Sequence, residues 1–138
     1  MKFNTLLPEL YVADFEKSIS FYRDMLGWMI EYARENPKFA FLSYGISQLM
    51  IQELRPDEKD KEKLDYPFGR GINFQIETKS VQKIIDSLVK NKYPLKRGIK
   101  DSWYEGKDAS YGCREILVQD PDGYLLRFSE DLGEKRNP

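Results

Sequence analysis

Ile72-Asn73-Phe74-Gln75-Ile76-Glu77, followed closely by Val81-Gln82-Lys83-Ile84-Ile85-Asp86-Ser87-Leu88-Val89, passes from a two-residue alternation to a helical one. In the first segment Ile72, Phe74 and Ile76 fall on one face and Asn73, Gln75 and Glu77 on the other, as in a strand with one buried side. In the second, Val81, Ile84, Ile85, Leu88 and Val89 recur at helical spacing, so an amphipathic helix is expected over residues 81–91.

Downstream, strands are expected at residues 95–99, 113–119 and 124–130, the last two joined by the turn Asp120-Pro121-Asp122-Gly123. Upstream the same order of elements occurs. Residues 6–12 alternate, Asp14 can cap a helix over residues 15–26 with Ile19, Tyr22 and Leu26 on one face, and Gly27 ends it. Strand candidates follow at residues 28–34, at 39–44 after an Asn36-Pro37 turn, and at 48–54. The chain therefore reads as two tandem βαβββ modules offset by about 64 residues, an α+β protein with a curved, partly open mixed sheet and its helices on one face. The expected organisation is one domain over residues 1–138: a first module at about 6–54, a charged linker at 55–69, a second module at about 70–130 and a tail at 131–138.

Composition narrows the function. With 22 basic and 23 acidic residues and a net charge of −1, the chain has no basic excess for phosphate contacts, so nucleic acid is not the expected partner. No apolar run is long enough to span a membrane or to form a signal-peptide core, and the single cysteine, Cys113, lies in an apolar alternation. A cytoplasmic setting is expected. With no histidine in the chain to activate it, Cys113 reads as a small core residue.

Sorting each strand by face gives an apolar set and a mixed set. Leu49 and Ile51 oppose Met50 and Gln52; Ile116 and Val118 oppose Glu115, Leu117 and Gln119; Leu126 and Phe128 oppose Arg127 and Ser129; Leu6, Pro8, Leu10 and Val12 oppose Leu7, Glu9 and Tyr11. The mixed face meets either bulk water or an amphipathic ligand.

Three segments in order, Leu7-Pro8-Glu9-Leu10-Tyr11-Val12-Ala13-Asp14 with Ser18-Ile19-Ser20-Phe21-Tyr22, then Pro67-Phe68-Gly69-Arg70-Gly71-Ile72-Asn73-Phe74, then Arg114-Glu115 through Asp120-Pro121-Asp122-Gly123-Tyr124 and Arg127-Phe128, resemble the glyoxalase and bleomycin resistance superfamily, in particular its bleomycin resistance branch. Enzymes of that superfamily hold a divalent metal with one ligand from each of four strands. The matching positions here are Leu7, Gln52, Asn73 and Arg127, so the resemblance implies a protein without cofactor or metal, and not an enzyme. Only Glu9, Glu53, Glu77 and Glu115 offer carboxylates to magnesium or manganese in the alternative reading, a metal-dependent lyase or dioxygenase.

The non-enzymatic relatives imply sequestration of a bleomycin-type glycopeptide in a crevice at a homodimer interface. Such a drug brings a flat bithiazole, a metal-binding head and a cationic tail, which call for aromatic stacking planes and for acids. The resemblance points to Phe39, within Phe39-Ala40-Phe41, for stacking, and to Glu9, Gln52, Asn73, Glu115 and Arg127 for polar contacts. Where relatives place a tryptophan ahead of the Arg-Glu pair, this chain has Gly112, with Tyr111 beside it. Trp103 and Tyr104, in an expected loop over residues 100–112, either supply the missing plane or pack at a dimer seam. The acids either meet a ligand cation or pair with Arg127, and Phe68 reads as a staple for the linker. Another planar cationic metabolite fits the same residues.

Overall fold

The computed structural model describes residues 2–55, 57 and 64–138. Residues 56 and 58–63 of the expected charged linker lie outside the described residues. Among the described residues, eight strands and two helices are formed: β1 (Glu9–Val12), α1 (Phe15–Ile19, continued as a wider π-helical stretch over Ser20–Met25), β2 (Met29–Arg34), β3 (Phe39–Tyr44), β4 (Ser47–Glu53), β5 (Asn73–Glu77), α2 (Val81–Lys90), β6 (Arg97–Glu105), β7 (Ala109–Gln119) and β8 (Leu125–Arg136). They make two four-stranded mixed sheets, ordered β1-β4-β3-β2 and β5-β8-β7-β6. Each expected module contributes one four-stranded sheet, and the two strand orders match position for position. In each, the first and last strands of the module pair in parallel and the rest are antiparallel.

The chain divides into two compact units. The first runs to Gly71 and also takes in Asp120–Tyr124; the second comprises Ile72–Gln119 and Leu125–Pro138. In the first unit Asp14 caps α1, its carboxylate accepting from the Lys17 N–H at 3.1 Å, and Gly27 leaves the helix at a φ of 82°, where a side chain would be strained. Val12, Phe21, Tyr22, Ala40, Leu42, Leu49 and Ile51 form its core. In the second unit the Ser80 hydroxyl accepts from the Lys83 N–H at 3.3 Å, and Glu130 accepts from the Val81 N–H at 2.9 Å, so the start of α2 is capped twice. Val81, Ile84 and Leu88 bury against the side of the sheet that carries Ile76, Ile116, Val118, Leu126 and Phe128.

Three expectations are corrected. Residues 6–8 are not strand, and Leu6 is exposed because nothing pairs with it there. The expected loop over residues 100–112 is mostly hairpin: β6 and β7 stay in register through Trp103↔Gly112 and Tyr104↔Tyr111, because polar residues alternate there without any packed face to mark the strand. β8 runs to Arg136, into the stretch read as a tail, since Lys135 and Arg136 pair with Ser110 and Ala109.

The turn Asp120–Tyr124 is held by its first carboxylate. Asp120 Oδ1 accepts from the N–H groups of Asp122 and Tyr124, both at 2.9 Å, while Oδ2 accepts from the Tyr22 hydroxyl at 2.8 Å. Asp122 accepts from the Ala13 N–H at 3.2 Å, and the Tyr124 hydroxyl donates to the Tyr11 carbonyl at 2.9 Å. Gly123, at a φ of 95°, admits no side chain: a Cβ would lie 2.5 Å from that of Pro67. Phe68 packs edge-on against Tyr124 at 5.8 Å.

Burial pushes Asp120 up to about 7, with the Asp122 charge adding to the rise and the Tyr22 and backbone hydrogen bonds opposing it. Below the ordinary carboxylate value both folded and unfolded chains hold this proton; between about 4 and 7 only the folded chain does. Folding therefore loses stability as pH rises through that window, by an amount on the order of a few kcal/mol, and the loss levels off above it. Asp120→Asn is expected to flatten this decline in urea midpoints measured from pH 4 to 8, and equal slopes in the two proteins would contradict the assignment.

Candidate functional site

With one face of each sheet committed to its helix, the opposite face is the place for chemistry. In the first unit, Leu10, Val12, Ala40, Leu42, Leu49 and Ile51 point inward, so Glu9, Tyr11, Phe39, Phe41, Met50 and Gln52 share the other side. Register sets them in two rows. One runs Arg34, Phe39, Gln52, Tyr11 and the other Tyr32, Phe41, Met50, Glu9.

Phe39 and Phe41, at 5 % and 1 % exposure, are better hidden than a bare stacking plane would be. The Arg34 guanidinium lies over Phe39, its carbon 4.3 Å from the ring centroid, and Tyr32 meets Phe39 at 6.0 Å. Phe3 meets Phe41 edge-on at 5.2 Å. The segment carrying Phe3 is tied down beside it: the Asn4 N–H donates to the Gln48 side chain and the Gln48 amide donates to the Lys2 carbonyl, both at 2.7 Å. Glu9 and Tyr32 are exposed, while Gln52 and Tyr11 are partly so.

In the second unit, Asn73, Glu115 and Arg127 share the face opposite α2, continued by the cross-strand pair Tyr104 and Tyr111. Glu115 is buried and lies 3.8 Å from the Arg127 guanidinium, too long for a hydrogen bond but close enough to neutralise its charge. Lys100 stands directly across from Glu115 on β6. Glu115 thus has a cation of the protein within ion-pair distance, the arrangement that one of the two readings open from sequence describes.

Trp103 faces the other way. It pairs with Gly112, which shares a side with Ile116 and Val118, so the indole lies on the face that packs further along against α2. A Cβ on Gly112 would come within 2.8 Å of three of its ring atoms, and the Lys135 ammonium sits 3.9 Å from a ring centroid. Gly112 therefore makes room for the tryptophan of the neighbouring strand, which covers the exposed backbone. The structure brings Phe39 together with Gln52, sets Phe41 and Glu9 on either side of Met50 in one row, and brings Glu115 near Arg127 and Tyr104 opposite Tyr111; within the second unit it places Trp103 on the face of the sheet opposite Glu115, Arg127, Tyr104 and Tyr111.

Arg34, Tyr32 and Lys135 were missed in the sequence. The signal for Arg34 was present: an Asn36-Pro37 turn over residues 35–38 fixes a hairpin in which Arg34 must face Phe39.

Of the four positions set against metal ligands, Leu7 has no donor and Arg127 is a fixed cation, leaving Gln52 and Asn73 as neutral amides on different sheets. This donor set does not suit a divalent ion. Among the described residues, no three His, Cys, Asp or Glu side chains gather as a metal site.

Residues 2–128 match the model of the Glyoxalase/Bleomycin resistance protein/Dioxygenase superfamily. A bleomycin resistance protein from Geobacillus stearothermophilus is 27 % identical over 135 residues, covering 91 % of this chain and 96 % of the relative. Among solved structures, a glyoxalase/bleomycin resistance protein/dioxygenase from Alicyclobacillus acidocaldarius superposes with a TM-score of 0.66 at 17 % identity, covering 94 % of this chain and 92 % of that one. A lactoylglutathione lyase from Agrobacterium tumefaciens does so with a TM-score of 0.60 at 15 % identity, covering 92 % of each. The fold is common to all of them, so the chemistry has to come from the side chains.

Gly112→Ala tests the placement of Trp103. The added methyl meets the far edge of a side chain rather than backbone, so the ring should swing outward at a cost of about 1 kcal/mol. The expected signature is a red shift of indole emission with easier acrylamide quenching; unchanged emission would mean the indole does not rest on Gly112.

Proposed function

The chain belongs to the glyoxalase/bleomycin resistance/dioxygenase superfamily, and from that premise we propose that it is a non-enzymatic binder that sequesters a bleomycin-type glycopeptide. The observation that carries the reading is the open face of the first unit, where Tyr32, Phe39 and Phe41 lie beside Gln52, Tyr11 and an exposed Glu9. Neighbouring aromatic rings with a hydrogen-bonding amide and a carboxylate at the margin suit a neutral flat heterocycle joined to a cationic tail. Glu9 receives the cation, since Glu115 already faces Arg127. The relatives at 27 % identity carry the name bleomycin resistance protein, which supports the same ligand class.

The absence of a donor set at Leu7, Gln52, Asn73 and Arg127 supports binding over lyase or dioxygenase chemistry. A homodimer is part of the proposal. β6 ends its sheet with an edge that no other strand pairs among the described residues, and Tyr104 and Tyr111 present exposed rings on that sheet. No helix among the described residues is long and apolar enough to cross a membrane, and the free thiol of Cys113 fits a reducing cytoplasm.

Two measurements test the reading. Bleomycin at ~100 times its dissociation constant is expected to add about 2.7 kcal/mol to stability and to raise the melting temperature. Glu9→Gln should weaken binding about threefold to tenfold and reduce its dependence on salt, as loss of one partly screened ion pair implies. No thermal shift at saturating drug would end the proposal. Elemental analysis of the purified protein is expected to find no stoichiometric divalent metal, whereas one equivalent of nickel, zinc, iron or manganese would favour the enzymatic alternative.

A further inference from the structure

The most specific feature of the open face is one that no relative's name accounts for: its best-placed stacking ring is already stacked. We propose that Arg34 is a swinging lid over Phe39, which guards the ring in the empty protein and closes on the outer face of a bound one. This rests on the reading of the first unit's open face as the ligand site.

The geometry supplies each requirement of a lid. Arg34 is the last residue of β2, and β2 is an edge strand, so among the described residues no strand flanks its outer side. Its side chain is exposed, while the ring beneath it is nearly buried. The guanidinium carbon lies 4.3 Å from the Phe39 centroid and 5.7 Å from that of Tyr32, so it rests over one ring and beside the other. A flat ligand inserted between guanidinium and phenyl needs ~7 Å between the outer planes. A lift of ~3 Å is within the reach of a long, exposed side chain pivoting on an edge strand. Gln52 and Tyr11 continue the same cross-strand row beyond Phe39 and offer polar groups to the margin of a ring stacked there.

The lid also sets which rings are accepted. A guanidinium stacks through its flat faces while its five N–H donors point outward in the plane. Closed on a ligand, it offers a positive face to the ring and donors to the ring's margin. A neutral or anionic heteroaromatic with acceptor atoms at its edge satisfies both; a ring that itself carries positive charge meets like-charge repulsion at the lid. A tail cation remains compatible, since it lies away from the stack, toward Glu9. Lys135 over Trp103 makes the same kind of contact, but on the opposite side of its sheet, where the glycine row at Gly112 and Gly133 offers no pocket wall.

The test compares wild type, Arg34→Gln and Arg34→Lys, each with a melting curve to establish folding, against three probes: bleomycin, the planar anion anilinonaphthalene sulfonate and the planar cation thioflavin T. Arg34→Gln is expected to weaken the anion and bleomycin about fivefold, with faster dissociation, and to leave the cation bound as well or better. Arg34→Lys keeps the charge but loses the flat face, so it should be no better than Arg34→Gln. Rescue by lysine, or equal or tighter binding of the anion to Arg34→Gln, would overturn the lid, as would failure of the anion to bind wild type. Failure of bleomycin alone, with the anion still dependent on Arg34, would remove the antibiotic and keep the lid.

Discussion

The two-residue period of a strand is the constraint on which everything else in this protein depends. Once Leu10, Val12, Ala40, Leu42, Leu49 and Ile51 turn inward, each intervening residue is forced onto the opposite face, whatever its chemistry. The same holds where Phe74, Ile76, Ile116, Val118, Leu126 and Phe128 share the side that α2 covers. A module that spends one face on its core can change the other without losing the fold, which is how a single architecture carries both lyases and binders. In this chain the liberated face holds aromatic rings and amides in the first unit and Arg127 beside Glu115 in the second.

Charge is distributed over those faces with a consistent logic. Two of the large aromatics carry a cation of the protein: Arg34 lies over Phe39, and Lys135 over Trp103. Such contacts are worth about 0.5–1 kcal/mol at exposed sites, enough to hold a ring covered without locking it. Buried Glu115 lies within ion-pair distance of Arg127, while Asp120 is kept in place by Tyr22 and two backbone N–H groups. Glu9 is an exposed carboxylate on the aromatic face, and in the proposed complex it sets the direction in which a charged ligand docks.

Much of this was legible in the sequence. The two modules, the Asp14 cap, the stop at Gly27 and the Asp120 to Gly123 turn all follow from local chemistry, and the structure bears them out. The split of Met50 and Gln52 from Leu49 and Ile51 is likewise a direct reading of period. What escaped was long-range or lacked a packed face. The hairpin over residues 97–119 extends well past the core, so its polar alternation resembles a loop; only cross-strand pairing reveals that Trp103 and Gly112 are neighbours. That the indole faces away from Glu115 depends on that same register. The division of the strands into two sheets depends on which edges meet, and no single-strand pattern carries that information.

The most direct test of the account is to map where bleomycin touches the folded chain, by following backbone amide and arginine Nε–H resonances during a titration. The largest shifts should fall on residues 9–11, 32–34, 39–41 and 50–52, with the Arg34 Nε–H moving as its ring contact is exchanged for the ligand. Shifts confined to Trp103 and its glycine neighbours, or no shifts at saturating drug, would contradict it.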